Sequence, residues 1–568
     1  MWTGHRAISV TMGRLSNLIP LVALLSGSAT SAAIDQTSIH QTRATDFSNP
    51  VLWEDYPDLD VFRIGSTFYY SSSTFAYSPG APVLKSYDLV NWTPVTHSVP
   101  TLNFGDRYNL TGGTPAAYVK GIWASTLRYR SSNDKFYWYG CIEFGKTYIW
   151  TSSGTGAGDK DGEVDPADWA WEAHPPIDKC YYDSGLLIDD DDKMYIAYGN
   201  PNIEVAELSD DGLSQVGSRV VYSPPSGTTI EGARMYKVGD TYYILVTRPA
   251  DAEWVLKSTS GPFGPYEQRE LVTRISGPLQ NAGFSHQGGM VDTPNGDWYY
   301  VAFMDAYPGG RIPVVAPLRW TDDGWPELVT DAQGGWGASY PVPVQTDKTV
   351  PDGKQVLDDF TGAELSHHWE WNHNPDTSRF SLGGGDEGGL VLQTATVTED
   401  IFSARNTLTR RVVGPKSSGT FRLDVSKMSD GDRAGAVLFR DTAAYIGVWK
   451  QGDEASIVVV DGLELSQGTW TTVSTGRVAE TGPVVSNADD VWFRIEADIT
   501  PAFGTNTART TTFSYSVDGG ETFVRLGPAF SMSNTWQYFT GYRFGVFNFA
   551  TKELGGEVKV KSFQLQPL

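Results

Sequence analysis

The feature that most constrains this chain is a repeat. A turn followed by two large, mostly aromatic residues occurs five times, in GSTFYYSSS, DKFYWYG, DKMYIAYG, GDTYYILV and GDWYYVAF, with the second large residue at Tyr69, Tyr137, Tyr195, Tyr243 and Tyr299. These anchors lie roughly 50 to 70 residues apart, more than the roughly 40 to 45 of a compact four-stranded blade. Apolar residues alternate with period two or run in short aromatic blocks, and no long amphipathic helix is readable. The class is all-β, and five units predict a five-bladed β-propeller with loops of uneven length.

The repeat also aligns chemistry. Twelve residues before the anchor stand Ser125, Asp183, Glu231 and Gln287, and Asp58 stands eleven before the first. In a propeller this is the strand lining the central channel, so equivalent positions of different blades converge on one axis. Three of the five are carboxylates. Like charges crowded in a partly desolvated funnel repel and raise one another's pKa, and such clusters are more often functional than structural. Alone, Asp58 reads as a turn cap and His286 as a hydrogen-bonded channel histidine or a water-mediated contact of a bound cation; the shared register is what argues for chemistry.

The pattern changes after Trp325. Residues 340–355 carry three prolines among polar residues without periodicity and read as a linker, which bounds the propeller to 34–339. From 356 to 568 short strands recur at 420–425, 436–439, 445–448, 456–460, 492–496, 511–516 and 543–549, separated by turn signals. That spacing predicts a β-sandwich of the lectin-like jelly-roll type. Its apolar, aromatic strands predict a packed interface with the propeller and not a tethered module.

The first residues have Arg6 and Arg14, an apolar run from Leu18 to Leu25 and small residues up to Ala33, the pattern of a secretory signal peptide over 1–33. The apolar run is shorter than the roughly 20 residues that span a bilayer, and no later run comes closer. The expectation is a secreted, extracellular protein, a monomer without a membrane span. In that compartment Asn91-Trp-Thr93 and Asn109-Leu-Thr111 are glycosylation sequons. Cys141 and Cys180 either pair or stay as two thiols, and neither has the CxxC partner of zinc or redox chemistry. A formal net charge of -24 argues against nucleic acid and fits a neutral substrate. The Gly- and Asp-rich stretch 152–164 lacks the ending of a phosphate-binding loop. Asp189 to Asp192 lacks the EF-hand spacing and reads as a solvated hairpin turn.

Two carboxylic groups on opposite faces of a glycosidic bond suffice to hydrolyse it, one protonating the leaving oxygen and one activating water; a third near the acid raises its pKa and orients it. Glu231, with the longer reach, suits the donor, and Asp58 and Asp183 the shorter roles. At this point the residues resemble glycoside hydrolase family 43, the propeller enzymes of arabinoxylan and arabinan. The resemblance spans nearly the whole chain beyond the leader. Asn49-Pro-Val-Leu-Trp-Glu-Asp-Tyr-Pro-Asp58 is similar to the family's opening motif and implies that Asp58 is the general base. Tyr182-Asp-Ser184 implies that Asp183 is the pKa modulator, and Ile230-Glu-Gly232 that Glu231 is the general acid. Ser285-His-Gln287 resembles the channel-histidine segment, and Gly310-Arg311 implies a sugar-binding Arg311. Trp123 and Phe75 suit stacking platforms. Pro57-Asp-Leu-Asp60 and Trp123-Ala-Ser125 depart from the commoner forms, which bears on substrate more than on reaction.

The C-terminal segments Asn406 to Arg411, Asp430 to Gly435 and Gly541 to Gly545 resemble the sandwich of xylosidase and arabinofuranosidase members. The chain is most similar to fungal arabinofuranosidases acting on arabinoxylan, some on doubly substituted xylose. The implied activity is an inverting, exo-acting α-L-arabinofuranosidase. A β-xylosidase and a non-catalytic carbohydrate-binding propeller are the alternatives. No cofactor is required, and calcium in the central channel is an expectation carried by the resemblance.

Overall fold

The structure, a computed structural model, describes residues 45–383, 388–485 and 490–568. The leader read at 1–33 lies outside them. The chain forms an all-β molecule in which a five-bladed propeller precedes a β-sandwich.

Each blade is four antiparallel strands paired in chain order, the first lining the channel. The channel strands are Asp60–Ile64, Thr126–Arg130, Gly185–Ile188, Glu231–Val238 and Ser285–Asp292. The five anchor tyrosines stand on the second strands, all at most 7% exposed. They are large because they fill the wedge between neighbouring blades, and two of their hydroxyls bridge the same gap. Tyr69 Oη donates to the Gly162 carbonyl of blade two at 2.6 Å, and Tyr243 Oη to that of Gly324 in blade five at 2.6 Å.

Asp189 to Asp192 departs from the expected solvated turn. Asp189 accepts from Lys237 Nζ (2.5 Å) and Tyr242 Oη (2.6 Å) of blade four, and Asp192 from Arg130 Nε (2.9 Å) of blade two. Equivalent hairpin turns lie at the same height on adjacent blades, so opposite charges there come within reach; only Asp190 and Asp191 stay exposed.

Closure of the ring needs no shared blade. Asp46–Ser48 pairs with Ser339–Pro341 in a separate two-stranded sheet. Beside it the Asn49 side chain donates to the carbonyls of Val315 (2.9 Å) and Gly337 (3.1 Å) and accepts from Val315 N–H (2.8 Å). Cys141 and Cys180 form a disulfide between the second strand of blade two and the chain approaching Asp183.

The sandwich packs a nine-stranded against an eight-stranded sheet over a core that includes Trp369, Phe421, Phe493 and Phe563. The eight-stranded sheet ends in a propeller segment: Tyr77–Ser78, from the excursion between the second and third strands of blade one, pairs with Glu370–Asn372. Around it Asn374 accepts from Leu102 N–H (2.9 Å), and Tyr118 Oη donates to the Phe402 carbonyl (2.6 Å). The two parts therefore share a sheet and a buried polar seam.

Candidate active site

The channel strands begin irregularly, and the irregularity aims the side chains. Asp58, Asp183 and Gln287 have φ of 53°, 50° and 47°, and in blade four the positive angle falls on Gly232 (70°). Non-glycine residues in this region are strained and persist where the surroundings over-determine them. The pairing slips between Glu231 and Arg234 and between His286 and Gly289, and bulges of this kind re-aim side chains next to active sites. Glu253, buried behind blades four and five, accepts from the Gln287 N–H at 2.9 Å, and burial pushes its pKa up to about 8.

One fully buried cation knits the channel strands together. Arg234 donates to the carbonyls of Leu59 (2.8 Å), Asp58 (2.9 Å) and Ser184 (2.5 Å). It thus fixes the backbones carrying Asp58 and Asp183 relative to that of Glu231. Ser125, the equivalent in blade two, accepts from the Trp138 indole (3.0 Å) and serves packing.

Asp58, Phe75, Trp123, Asp183, Glu231, His286 and Arg311 all line one cavity of about 600 Å³, within the range of small-molecule sites. Asp58 is gripped by both ends of the Arg311 guanidinium, at 2.6 and 2.9 Å, and accepts from Ser73 Oγ at 2.5 Å. Glu231 accepts from Asn200 Nδ2 at 2.6 Å and Tyr182 Oη at 3.4 Å. Burial first, then the negative charges of Glu231 and Asp58, hold the Asp183 carboxyl well above the carboxylate range. Glu231 is likewise raised, by burial and the Asp58 charge against the pull of its hydrogen bonds and Arg311. Asp183 and Glu231 therefore titrate as a pair that retains a proton where free carboxyls have lost theirs.

His286 hydrogen-bonds the Phe284 carbonyl through Nδ1 (3.0 Å) and lies edge-on to Phe303. Among the described residues no three His, Cys, Asp or Glu side chains gather as a metal cage. No step is routed through an ion.

Two contributions escaped the sequence. Asp305, at the end of the second strand of blade five, is a fourth carboxylate in the cavity, 7% exposed and raised mainly by burial. The sandwich supplies Phe503, Trp536 and Phe539 to the wall. Phe539 stands with Phe75 and Phe303 around the Arg311 guanidinium at 5.0 to 5.7 Å, and its carbonyl accepts from Arg311 Nε at 3.1 Å. At the rim Phe144, 67% exposed, stacks on Tyr182 (5.1 Å) and lies edge-on to Trp123 (4.8 Å).

Crowded carboxylates at the mouth of a propeller, one of them held by arginine, define a glycoside hydrolase site. The comparisons name its family. Residues 47–326 match Glycosyl hydrolases family 43, and 357–566 match the Beta xylosidase C-terminal Concanavalin A-like domain. A solved family 43 glycoside hydrolase, engineered to display both endo-xylanase and exo-arabinofuranosidase activity, is 70% identical, covers 92% of this chain and all of its own, and superposes with a TM-score of 0.91. The chain belongs to glycoside hydrolase family 43. A β-xylosidase of Formosa agariphila is 28% identical over 91% of this chain and 90% of its own. A non-reducing end α-L-arabinofuranosidase of Bacteroides ovatus is 27% identical over 70% and 74%.

Proposed function

We propose that this enzyme is an inverting, exo-acting α-L-arabinofuranosidase that removes arabinose from arabinoxylan side chains, including those on doubly substituted xylose. The observation that carries the reading is the division of labour among three carboxylates around one cavity: Asp58 held by arginine and serine, Glu231 and Asp183 sharing a proton. In this reading Asp58 accepts a proton from water as that water attacks the anomeric carbon. Glu231 gives its proton to the departing glycosidic oxygen, steered by Asn200 and Tyr182. Asp183 shares that proton with Glu231, and the cost of two adjacent buried charges keeps the pair from losing it. One displacement inverts the anomeric centre.

The preference for arabinose rests on the relative at 70% identity, whose engineered form displays exo-arabinofuranosidase and endo-xylanase activity. The exposed aromatic rim supports a polymeric substrate. A β-xylosidase is the second reading, favoured by the names of relatives at 24 to 29% identity. The leader supports secretion, and exposed Asn91 supports glycan attachment.

Release of free sugar from arabinoxylan tests the proposal. Arabinose without xylose is expected, and proton NMR should show β-L-arabinofuranose before the anomers equilibrate. Xylose as the first product would establish the second reading; early α anomer or transfer to methanol would remove inversion and Asp58 as base; no release at all would leave a binding propeller.

A further inference from the structure

We propose that Asp55, which has no part in the chemistry above, is a positioning residue through which the sandwich sets Arg311, and Arg311 in turn the carboxylate of Asp58. The inference rests on the reading of Asp58 as the base. Asp55 is 3% exposed. Its Oδ1 accepts from the Arg311 N–H of blade five at 2.7 Å, and its Oδ2 from the Gly541 N–H of the sandwich at 2.9 Å. One carboxylate thus bridges two backbones far apart in sequence.

The junction leaves no room for slack. A Cβ on Gly310, whose φ is +97°, would stand 2.3 Å from Asp55 Oδ1 and 2.6 Å from Gly541 N. A Cβ on Gly541 would stand 2.1 Å from the Gly309 carbonyl oxygen. Two backbones, 309–310 and 541, therefore meet at the residue before Arg311, with the Asp55 carboxylate wedged against both. From there Arg311 is held at its N–H by Asp55 and at Nε by the Phe539 carbonyl (3.1 Å), and its terminal nitrogens take Asp58 at 2.6 and 2.9 Å. With the near end of the guanidinium tied to the sandwich loop 539–541, the plane offered to Asp58 is the plane that loop dictates. A buried carboxylate is costly unless its acceptors are used, and here both are used on backbone amides flanking the arginine.

The test uses the full chain and an aryl α-L-arabinofuranoside, or the aryl β-xyloside if the wild type hydrolyses that instead, so a change of substrate does not disturb it. Asp55→Asn keeps the shape but turns one acceptor into a donor facing an N–H. If Asp55 works through Arg311, kcat falls by about tenfold or more with KM within about twofold. In an Arg311→Ala background the same change then costs less than about twofold more, because its route is gone. Equal losses in both backgrounds, or an unchanged kcat, would overturn the proposal. Gly541→Ala, whose Cβ would push the sandwich loop off the Gly309–Gly310 turn, should repeat the pattern and serves if Asp55→Asn does not fold. In crystals of either variant the guanidinium is expected to leave Asp58. Retention of both bonds would overturn the inference whatever the activity.

Discussion

At the residue scale the site is a contest between burial and charge, and its variants read out each part. Glu231→Gln removes the proton donor at constant shape, so substrates with poor leaving groups should lose about 10²-fold to 10⁴-fold in rate. Activated aryl glycosides should lose far less, and a steady-state comparison of the two checks it. Asp183→Asn removes the second carboxyl of the pair, and with it the charge repulsion that holds the shared proton. The acid must be protonated to act, so activity falls as pH rises through the pair's raised pKa; with the charge gone that fall should come at lower pH, and an unmoved basic limb would deny Asp183 its role. Asp58, Asp183 and Glu231 were legible because blade geometry turns a constant offset from an anchor into a shared axis. Asp55, Asp305 and Arg234 were not, since each works through partners that only the folded chain brings near. Asp55 lies inside the quoted opening motif, yet nothing local distinguishes a carboxylate bound to two distant amides from one in a turn.

Connections between elements build the rim of the cavity. Phe144, Tyr182 and Trp123 form an aromatic ridge from blades two and three, and Trp536, 48% exposed, comes from the sandwich. Loss of some 40 Å² of apolar contact, about 1 kcal/mol, should make Phe144→Ala or Trp536→Ala about fivefold worse in kcat/KM on arabinoxylan. Small aryl glycosides should be unaffected, and equal losses on both would place these rings in the pocket's own chemistry. The channel strand and the strand after it in each blade followed from the anchor residues and the hairpin turn before them. The sandwich's share of the cavity did not, because Phe503, Trp536 and Phe539 sit in connections between short strands, where the sequence carries no period to count.

Across the whole molecule, the seam between propeller and sandwich is as buried as either core. Glu370, fully buried, accepts from Arg411 (2.9 Å) and Arg543 (2.7 Å) within the sandwich and contacts His97 of blade one at 3.2 Å. Burial opposes its charge, but Arg411 and Arg543 overcome that and hold its pKa below the carboxylate range. A depressed pKa gives stability that is full above the unfolded value near 4.3 and is lost only as pH falls below it. Glu370→Gln at neutral pH leaves two buried guanidiniums short of a counter-charge and should cost about 3–5 kcal/mol, visible by denaturant unfolding. Ending the chain before residue 356 removes that network and three wall residues together; the remaining propeller should be poorly soluble and have little activity on small glycosides. The position of the last strand has a further consequence for biosynthesis. Glu557–Pro567 lies inside the nine-stranded sheet, hydrogen-bonded to Leu390–Gln393 on one side and Lys416–Asp424 on the other. The strand that joins the two parts of that sheet is thus made after every other described strand. The propeller can assemble while the sandwich is still being made, but the wall it lacks is fixed only once this strand has emerged, so catalytic competence waits on a segment more than 200 residues beyond the propeller.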